Sequence, residues 1–157
     1  MRLTAQEEYG LRCLLQVARG QEAATTTPEI AEREGLSDAH VHKLMRLLRR
    51  GGLVKSVRGR KGGYRLARPA DQINIGAVLA VLGNSFYSKE FCGEHAGNER
   101  TCVRNSDCSI RALWMAVESA MQRALQSTKL SDLLRTEPEM AGFIHSHPEL
   151  FPLRTVS

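Results

Sequence analysis

The chain has 157 residues, of which 42% are hydrophobic and 25% are charged, enough for one globular domain with an appendage. No apolar run approaches the roughly 20 residues that span a bilayer, and the first residues lack the layout of a signal peptide. We therefore expect a cytoplasmic protein with no membrane partner, whose thiols stay reduced.

The formal net charge of +5 is unevenly distributed along the chain. Residues 1–70 hold 14 Lys/Arg against 7 Asp/Glu, whereas residues 71–157 hold 8 against 10. No acidic residue occurs from Ala39 to Ala70, a stretch that contains ten cations. A segment with one sign of charge is typical of a surface that binds a polyanion, and this favours a nucleic-acid partner over an ordinary solvated face.

Three helices are predicted before residue 51. The first covers residues 4–19, because its apolar residues recur at helical spacing between a Thr4 cap and Gly20. The second begins at Thr27-Pro28, with threonine as the cap and proline at the first helical position, and ends at Gly35. The third is capped by Ser37 and runs through Arg50. Its apolar face is expected to be Val41, Leu44, Leu48 and partly Leu47, which leaves the histidines and cations largely on the other faces. Two short helices joined by a tight turn, the second one basic, indicate a helix-turn-helix.

A β-hairpin is predicted directly after the basic helix. Residues 53–58 and 64–66 have strand composition and flank a tip, residues 59–63, that is rich in glycine and cations. A hairpin at this place makes the motif a winged helix-turn-helix, with a helix for the major groove and a wing for phosphates or the minor groove. The candidate DNA-binding residues are Ser37, His40, His42, Lys43, Arg46, Arg49, Arg58, Arg60 and Lys61.

The second half of the chain contains a cysteine loop between two predicted helices. A fourth helix, residues 73–82, precedes a polar stretch, residues 84–107, and a long amphipathic helix follows from Ser109 to Thr128. The apolar stripe of the long helix needs a partner surface. A second copy of the same helix is the simplest candidate, and packing on its own domain is the alternative. The tail after Leu134 is expected to be poorly ordered.

Three cysteines with the spacing C-x9-C-x5-C, Cys92, Cys102 and Cys108, fall in or beside that loop. The gaps are wider than those of paired zinc knuckles. Separated thiolates on a flexible loop suit an iron–sulfur cluster, with one iron position left to another ligand or to solvent. The remaining cysteine, Cys13, lies beside the apolar stripe of the first helix and is expected to be buried and inert.

Several motifs in unbroken order over roughly residues 1–135 resemble the IscR/NsrR/RirA family of bacterial transcription regulators. They are the opening Met1-Arg2-Leu3-Thr4, the helix-turn-helix, the wing Val57-Arg58-Gly59-x-x-Gly62-Gly63-Tyr64-x-Leu66, the cysteine loop, and Cys108-x-x-x-Ala112-Leu113-Trp114. The resemblance implies a homodimer whose long helices pair. It also implies an iron–sulfur cluster, 4Fe–4S or alternatively 2Fe–2S, that gates binding to a palindromic DNA operator, usually by a repressor.

The fourth cluster ligand departs from one branch of that family. Members of the IscR branch have a histidine three residues after the last cysteine, where this chain has Arg111, and arginine cannot ligate iron. In some nitric-oxide- and redox-sensing relatives a carboxylate on the first helix supplies the ligand across the dimer, and the matching residue here is Glu8. Arg12, one turn on, could pair with Glu8 and hold it. An ordinary surface ion pair for Glu8, or a loop ligand such as His95 or Asp107, remains open.

The sequence thus predicts a mainly α protein with a small β-wing, and not an enzyme. Four regions are expected: a winged helix-turn-helix domain (1–83), a cluster-binding loop (84–108), a dimerisation helix with a short following helix (109–135) and a flexible tail (136–157). The predicted function is a transcription regulator whose cluster senses nitric oxide, redox state or iron. The alternatives are a cluster-free thiol switch and, more distantly, a redox or electron-transfer protein.

Overall fold

The computed structural model describes residues 3–20, 23–59, 62–83, 87 and 91–151. Within these ranges the protein is mainly helical, with one two-stranded antiparallel sheet, as predicted. The helices are α1 (Ala5–Arg19), α2 (Thr27–Glu34), α3 (Asp38–Arg50), α4 (Ile75–Leu82), α5 (Phe91–Glu94), α6 (Ser109–Ser127) and α7 (Glu137–Ser146). The strands are β1 (Val54–Val57) and β2 (Gly63–Leu66), and short 3-10 turns cover Ala70–Gln72 and Asp132–Leu134.

Local capping defines the helix-turn-helix. The Thr26 hydroxyl accepts a hydrogen bond from the Glu29 amide, and the Glu29 carboxylate accepts one from the Thr26 amide, so α2 begins one residue earlier than predicted. Gly35 ends α2 in the left-handed conformation, at φ 65°, which costs glycine little. Ser37 caps α3 by accepting from the His40 amide at 3.3 Å. These three signals place the turn and fix where α3 begins.

The wing consists of β1, β2 and a third extended segment that the sequence analysis missed. β1 and β2 pair in antiparallel register, with Val54 opposite Leu66 and Val57 opposite Gly63. On the other side of β2, the Thr25 amide donates to the Tyr64 carbonyl at 2.9 Å, and the Tyr64 amide donates to the Thr25 carbonyl at 2.8 Å. Thr25, which precedes α2, is therefore part of the wing.

A single hydrophobic core lies where α1, α2, α3, α4 and the base of the wing meet. Its fully buried large side chains come from helices, the wing and the segment after α6: Leu14, Val17, Ile30, Val41, Leu44, Met45, Leu48, Leu53, Ile73, Val78, Leu82 and Leu130. Met45 is fully buried, although the predicted apolar face of α3 did not include it. That face is therefore broader than the stripe read from the sequence.

Helix α6 is attached to the core through its C-terminal end. The Ile75 amide donates to the Thr128 carbonyl at 2.9 Å, and the Leu130 amide donates to the Ile73 carbonyl at 2.8 Å. Leu130 has no exposed surface, whereas none of the residues of α6 is buried. The large apolar side chains of Ile110 and Leu113 are 51% and 56% exposed.

The loop and tail also contain helices. The cysteine region includes the one-turn helix α5, and residues 137–146, for which the sequence analysis predicted no regular element, form α7. Thr136 and Glu139 make a capping box at the start of α7, with the Thr136 amide donating to the Glu139 carboxylate at 2.8 Å. Among the described helices, none combines the length and apolar character needed to cross a bilayer.

Candidate DNA-binding surface and cysteine site

Helix α3 presents a basic face to solvent. Its apolar residues point into the core, so that His42, Lys43, Arg46 and Arg49 are exposed. Ser37, also exposed, caps the helix at its N-terminal end. An exposed, cationic helix at the second position of a helix-turn-helix has the shape and charge to enter a DNA groove.

His40 differs from the other candidate residues of α3. Its ring meets the ring of Tyr9 edge to face, with the centroids 5.6 Å apart, and it is only half exposed. Part of this side chain therefore packs α3 against α1, which the prediction of an exposed histidine did not include.

The wing adds cations that the sequence analysis did not select. Arg58 is exposed as predicted, whereas Arg60 and Lys61 lie outside the described residues. Lys55 and Arg65 are directly opposite each other across the β1–β2 pair, and both are exposed. Like charges in this arrangement repel and destabilise an isolated hairpin, so the pair suits a partner that supplies negative charge. Strand register is the signal that could have revealed it.

Helix α1 positions both Glu8 and Arg12, but the predicted pair between them does not form. Glu8 is exposed. The Arg12 Nε atom donates to Glu34 Oε2 at 2.7 Å, and its Nη2 atom donates to the Glu34 carbonyl oxygen at 3.0 Å. The hydrogen bond and charge of Glu34 raise the pKa of Arg12. Glu34 offers two acceptors at the C-terminal end of α2, which explains why it displaces a helical neighbour.

The three loop cysteines are free and half-exposed, and each has a different local setting. Cys92 lies in α5, Cys102 lies in an irregular segment, and Cys108 is the N-cap of α6. The Cys108 sulfur accepts a hydrogen bond from the Arg111 amide at 3.4 Å. A change in the bonding of Cys108 therefore acts directly on the first turn of α6.

Cys92 has a neighbour that the sequence analysis missed. The Tyr87 hydroxyl lies 3.2 Å from Cys92 Sγ. This hydrogen bond, then burial and the charge of the sulfur, raise the pKa of Tyr87. The two residues line a pocket of about 500 Å³ whose other walls come from the loop and α6: Asn105, Arg111, Met115, Glu118 and Ser119.

The Arg111 side chain lies on the wall of this pocket, where its Nη1 atom donates to the Asn105 carbonyl at 3.0 Å. The alternative loop ligand His95 stacks on Phe91, with the ring centroids 4.0 Å apart, and its Nδ1 atom lies 2.9 Å from the Phe91 carbonyl oxygen. Asp107 is exposed. Among the described contacts, neither the His95 ring nor the Asp107 carboxylate is bonded to a cysteine sulfur, and Arg111 reaches Cys108 only through its backbone amide.

The donor set is suitable for a cluster, although the chain alone does not assemble it. Thiolates are the ordinary ligands of iron–sulfur clusters, and three free ones belong to one segment. Within the described ranges, however, no group of three or more His, Cys, Asp and Glu side chains is arranged to hold a metal. The irregular backbone between α5 and α6 would have to bring the sulfurs together.

Cys13 is separate from this site. It is fully buried in the core, and burial raises its pKa to about 12. The prediction of a buried thiol is confirmed, and a neutral thiol under apolar cover is unreactive.

The helix-turn-helix, its wing and the exposed cations define a winged-helix regulator of the DNA-binding class. The family model named Rrf2, iron-dependent transcriptional regulator, matches residues 3–136. The chain belongs to the Rrf2 family of transcription regulators, which confirms the resemblance described above. These relatives are regulators rather than enzymes.

Three known proteins show the extent of the similarity. Protein rrf2 of Nitratidesulfovibrio vulgaris is 37% identical, over 86% of this chain and 88% of its own. The HTH-type transcriptional regulator NsrR of Halalkalibacterium halodurans is 32% identical, over 94% of this chain and all of its own. The solved structure of CymR, the global cysteine regulator of B. subtilis, superposes with a TM-score of 0.70 at 29% identity, covering 85% and 96% of the two chains.

Proposed function

We propose that the protein is a homodimeric repressor whose binding to a palindromic operator is controlled by an iron–sulfur cluster held by Cys92, Cys102 and Cys108. The observation that carries this proposal is the location of the three free thiols. They lie in one segment between the winged helix and α6, and the last of them caps α6. Membership in a family described as iron-dependent supports an iron-containing group.

On the DNA side, α3 would read the major groove while the wing binds phosphates. Lys43, Arg46 and Arg49 are exposed on α3. On the wing, a polyanion would relieve the repulsion between Lys55 and Arg65. Such contacts release counterions, so that affinity falls steeply with salt.

At the cysteine site, the proposed ligands are the three sulfurs and the carboxylate of Glu8 from the second subunit. Glu8 is exposed on α1 and makes no ion pair among the described residues, so its carboxylate is available. Arg111 cannot serve as a ligand. When bound, the cluster would supply redox and nitric-oxide chemistry and would be expected as the 4Fe–4S form, with 2Fe–2S as the alternative.

Two connections would carry a change at the cysteines to the DNA-binding surface. Cys108 caps the first turn of α6, and the far end of α6 is bonded to the start of α4 through Thr128 and Ile75. On the other side, Arg12 follows Glu8 by one turn and holds the end of α2, immediately before the turn into α3. Rearranged cysteines would therefore alter the spacing of the two DNA-reading helices in a dimer.

The DNA-binding arm of the test compares Arg46→Ala with Arg123→Ala, a change of the same kind at an exposed position on α6. Removing a cation that contacts DNA is expected to weaken operator binding by about 1–3 kcal/mol and to flatten the salt dependence. Arg123→Ala should behave like the parent. Affinity of the parent that is independent of salt would contradict the DNA-binding proposal.

The cluster arm uses protein isolated without oxygen. Iron, acid-labile sulfide, absorbance and Mössbauer spectra are measured before and after nitric oxide, and operator binding is measured on the same samples. Cys92→Ala, Cys102→Ala and Cys108→Ala are each expected to lose the cluster and the response, and Glu8→Ala is expected to change the spectrum. A nitric-oxide or oxidant response in protein that contains neither iron nor sulfide would favour the thiol-switch alternative.

A further inference from the structure

Tyr87 connects the sulfur of Cys92 to helix α6. Its hydroxyl oxygen lies 3.2 Å from Cys92 Sγ, while its backbone amide donates to Glu118 Oε2 at 3.3 Å. The other oxygen of Glu118 accepts from Gln122 Nε2 at 3.0 Å. The ring of Tyr87 also packs on Phe91, with the ring centroids 5.4 Å apart. The hydroxyl is therefore held in place from two sides, by α5 and by α6.

The direction of the bond between Tyr87 and Cys92 follows from the chemistry of the sulfur. A cysteine that ligates iron or acts as a nucleophile is a thiolate and has no S–H to donate. A phenol keeps its proton at neutral pH and can donate it. The geometry allows either atom to donate, but in both of these roles Cys92 has no proton to give, so the tyrosine is the donor. Hydrogen bonds to cluster sulfurs are among the factors that set a cluster's reduction potential, and groups beyond the ligands orient them.

We propose that Tyr87 is a positioning residue that controls the reactivity of Cys92 by donating a hydrogen bond from its hydroxyl to Sγ. In the metal-free protein this bond occupies a lone pair of Cys92 Sγ and fixes the direction in which the sulfur points. When the sulfur holds iron, the same bond favours the more negative, reduced form of the cluster and retards loss of iron. The second effect rests on the proposed function, whereas the first does not.

Glu118 distinguishes this role from simple packing. If Tyr87 only filled space beside Phe91, the ring alone would be sufficient and Tyr87→Phe would be silent. If the hydroxyl must be aimed at the sulfur, the anchor on α6 matters as well, because Glu118 fixes the backbone of Tyr87. Glu118→Ala should then act in the same direction as Tyr87→Phe, and the double variant should show less than the sum of both.

The first arm of the test uses reduced, metal-free protein at pH 7. Alkylation of Cys92 and of Cys102 is followed in the same sample by peptide mass spectrometry, so that Cys102 serves as an internal reference. Tyr87→Phe is expected to change the alkylation rate of Cys92 relative to that of Cys102 by about threefold, because Sγ loses the hydrogen bond that orients it. Tyr64→Phe, the same chemical change in the wing, should leave the ratio unchanged. An unchanged ratio in Tyr87→Phe would overturn the proposal.

The second arm uses protein loaded with its cluster and kept without oxygen. Tyr87→Phe is expected to lower the reduction potential and to speed removal of iron by a chelator about fivefold, the equivalent of one net hydrogen bond. The shift of iron–cysteine vibrational bands between H2O and D2O should also diminish. Unchanged potential, iron loss and isotope shift would overturn the cluster part of the proposal. Parent protein that contains neither iron nor sulfide would instead contradict the proposed function. The alkylation ratio would then still test the hydrogen bond between Tyr87 and Cys92.

Discussion

Arg12, Gln16 and Glu34 bind the middle of α1 to the end of α2. The Glu34 side chain is 9% exposed and accepts from Arg12 Nε and from Gln16 Nε2. The Arg12 side chain remains 39% exposed, so solvent weakens its charge interaction. These contacts hold the chain immediately before the turn into α3, because Glu34 directly precedes Gly35.

Removing the Arg12 side chain should loosen this attachment. Arg12→Ala is expected to lower the free energy of unfolding by about 1 kcal/mol, since a nearly buried carboxylate loses a charged donor. Arg33→Ala, which removes an exposed arginine from α2, should change it by less than about 0.5 kcal/mol. Urea unfolding of both variants and the parent measures the difference, and equal values would show that the pair contributes nothing.

The buried thiol of Cys13 should make stability fall at alkaline pH. Burial raises its pKa to about 12, whereas the unfolded thiol titrates near 8.5. Below the pKa of the unfolded thiol, Cys13 is protonated in both the folded and the unfolded state, so it does not change the free energy of unfolding. Between the two values the unfolded state has lost a proton that the folded state keeps, so the free energy of unfolding falls by up to about 1.4 kcal/mol per pH unit.

The check on Cys13 is a series of urea unfolding curves of reduced protein across this pH range. Cys13→Ala should be less stable at neutral pH, because it leaves a cavity, but it should lose less stability than the parent as pH rises. Parallel curves for the two proteins would mean that Cys13 ionises normally in the folded state.

Single residues show what local patterns can predict. The three loop cysteines and the exposed cations of α3 follow from composition and periodicity, which are visible in the chain itself. The partners of Arg12 and Cys92 do not. Helical spacing predicted Glu8 as the partner of Arg12, but Arg12 instead pairs with the carboxylate of Glu34, 22 residues away. Tyr87 depends on an anchor 31 residues further on, which only the fold brings near.

At the level of elements, the wing depends on a close approach between β2 and the extended segment at Thr25. Gly63 has φ 142°, and a Cβ atom there would lie 2.5 Å from the Thr25 carbonyl oxygen. Gly59, at the tip, also has positive φ, at 108°, but an added Cβ would meet nothing within 4 Å. Both glycines therefore have a backbone conformation that other residues rarely adopt, but of the two only Gly63 lacks room for a side chain.

Comparing the two alanine variants isolates the third segment of the wing. Both should be destabilised by backbone strain. Gly63→Ala should cost about 1–3 kcal/mol more than Gly59→Ala, because it also breaks the two hydrogen bonds between Thr25 and Tyr64. Thermal or urea unfolding measures the cost. Equal destabilisation would show that the third segment adds no stability.

Elements were predictable where capping and periodicity agree, as in α1, α2, α3 and the hairpin. Three features were not. The segment at Thr25 is too short for a strand signal, and its pairing is non-local. Met45 is buried because α3 packs against more than one neighbour, which a single stripe cannot indicate. Helix α7 is introduced by a capping box at Thr136 and Glu139, a signal that the prolines of the tail obscured.

For the whole molecule, α6 is a long helix that the core does not cover. Its stripe was predicted to need a partner surface, and its C-terminal end does pack on α4, yet none of its residues is buried. Exposed Ile110 and Leu113 lie beside Cys108, at the end of α6 that is furthest along the helix from the core. A second copy of α6 would cover this surface and bring a second winged helix into a fixed relation with the first.

Leu113→Glu tests that arrangement. A symmetric interface carries the change twice, and burying a leucine contributes about 1.5–3 kcal/mol, so the dimer dissociation constant should rise at least a hundredfold. Light scattering of the metal-free protein is expected to show a dimer for the parent and a monomer for Leu113→Glu, with weaker operator binding. Ala112→Glu places the same charge on a neighbouring exposed position outside the stripe and should stay dimeric. A dimeric Leu113→Glu would place the interface elsewhere, and a monomeric parent would contradict the proposed dimer.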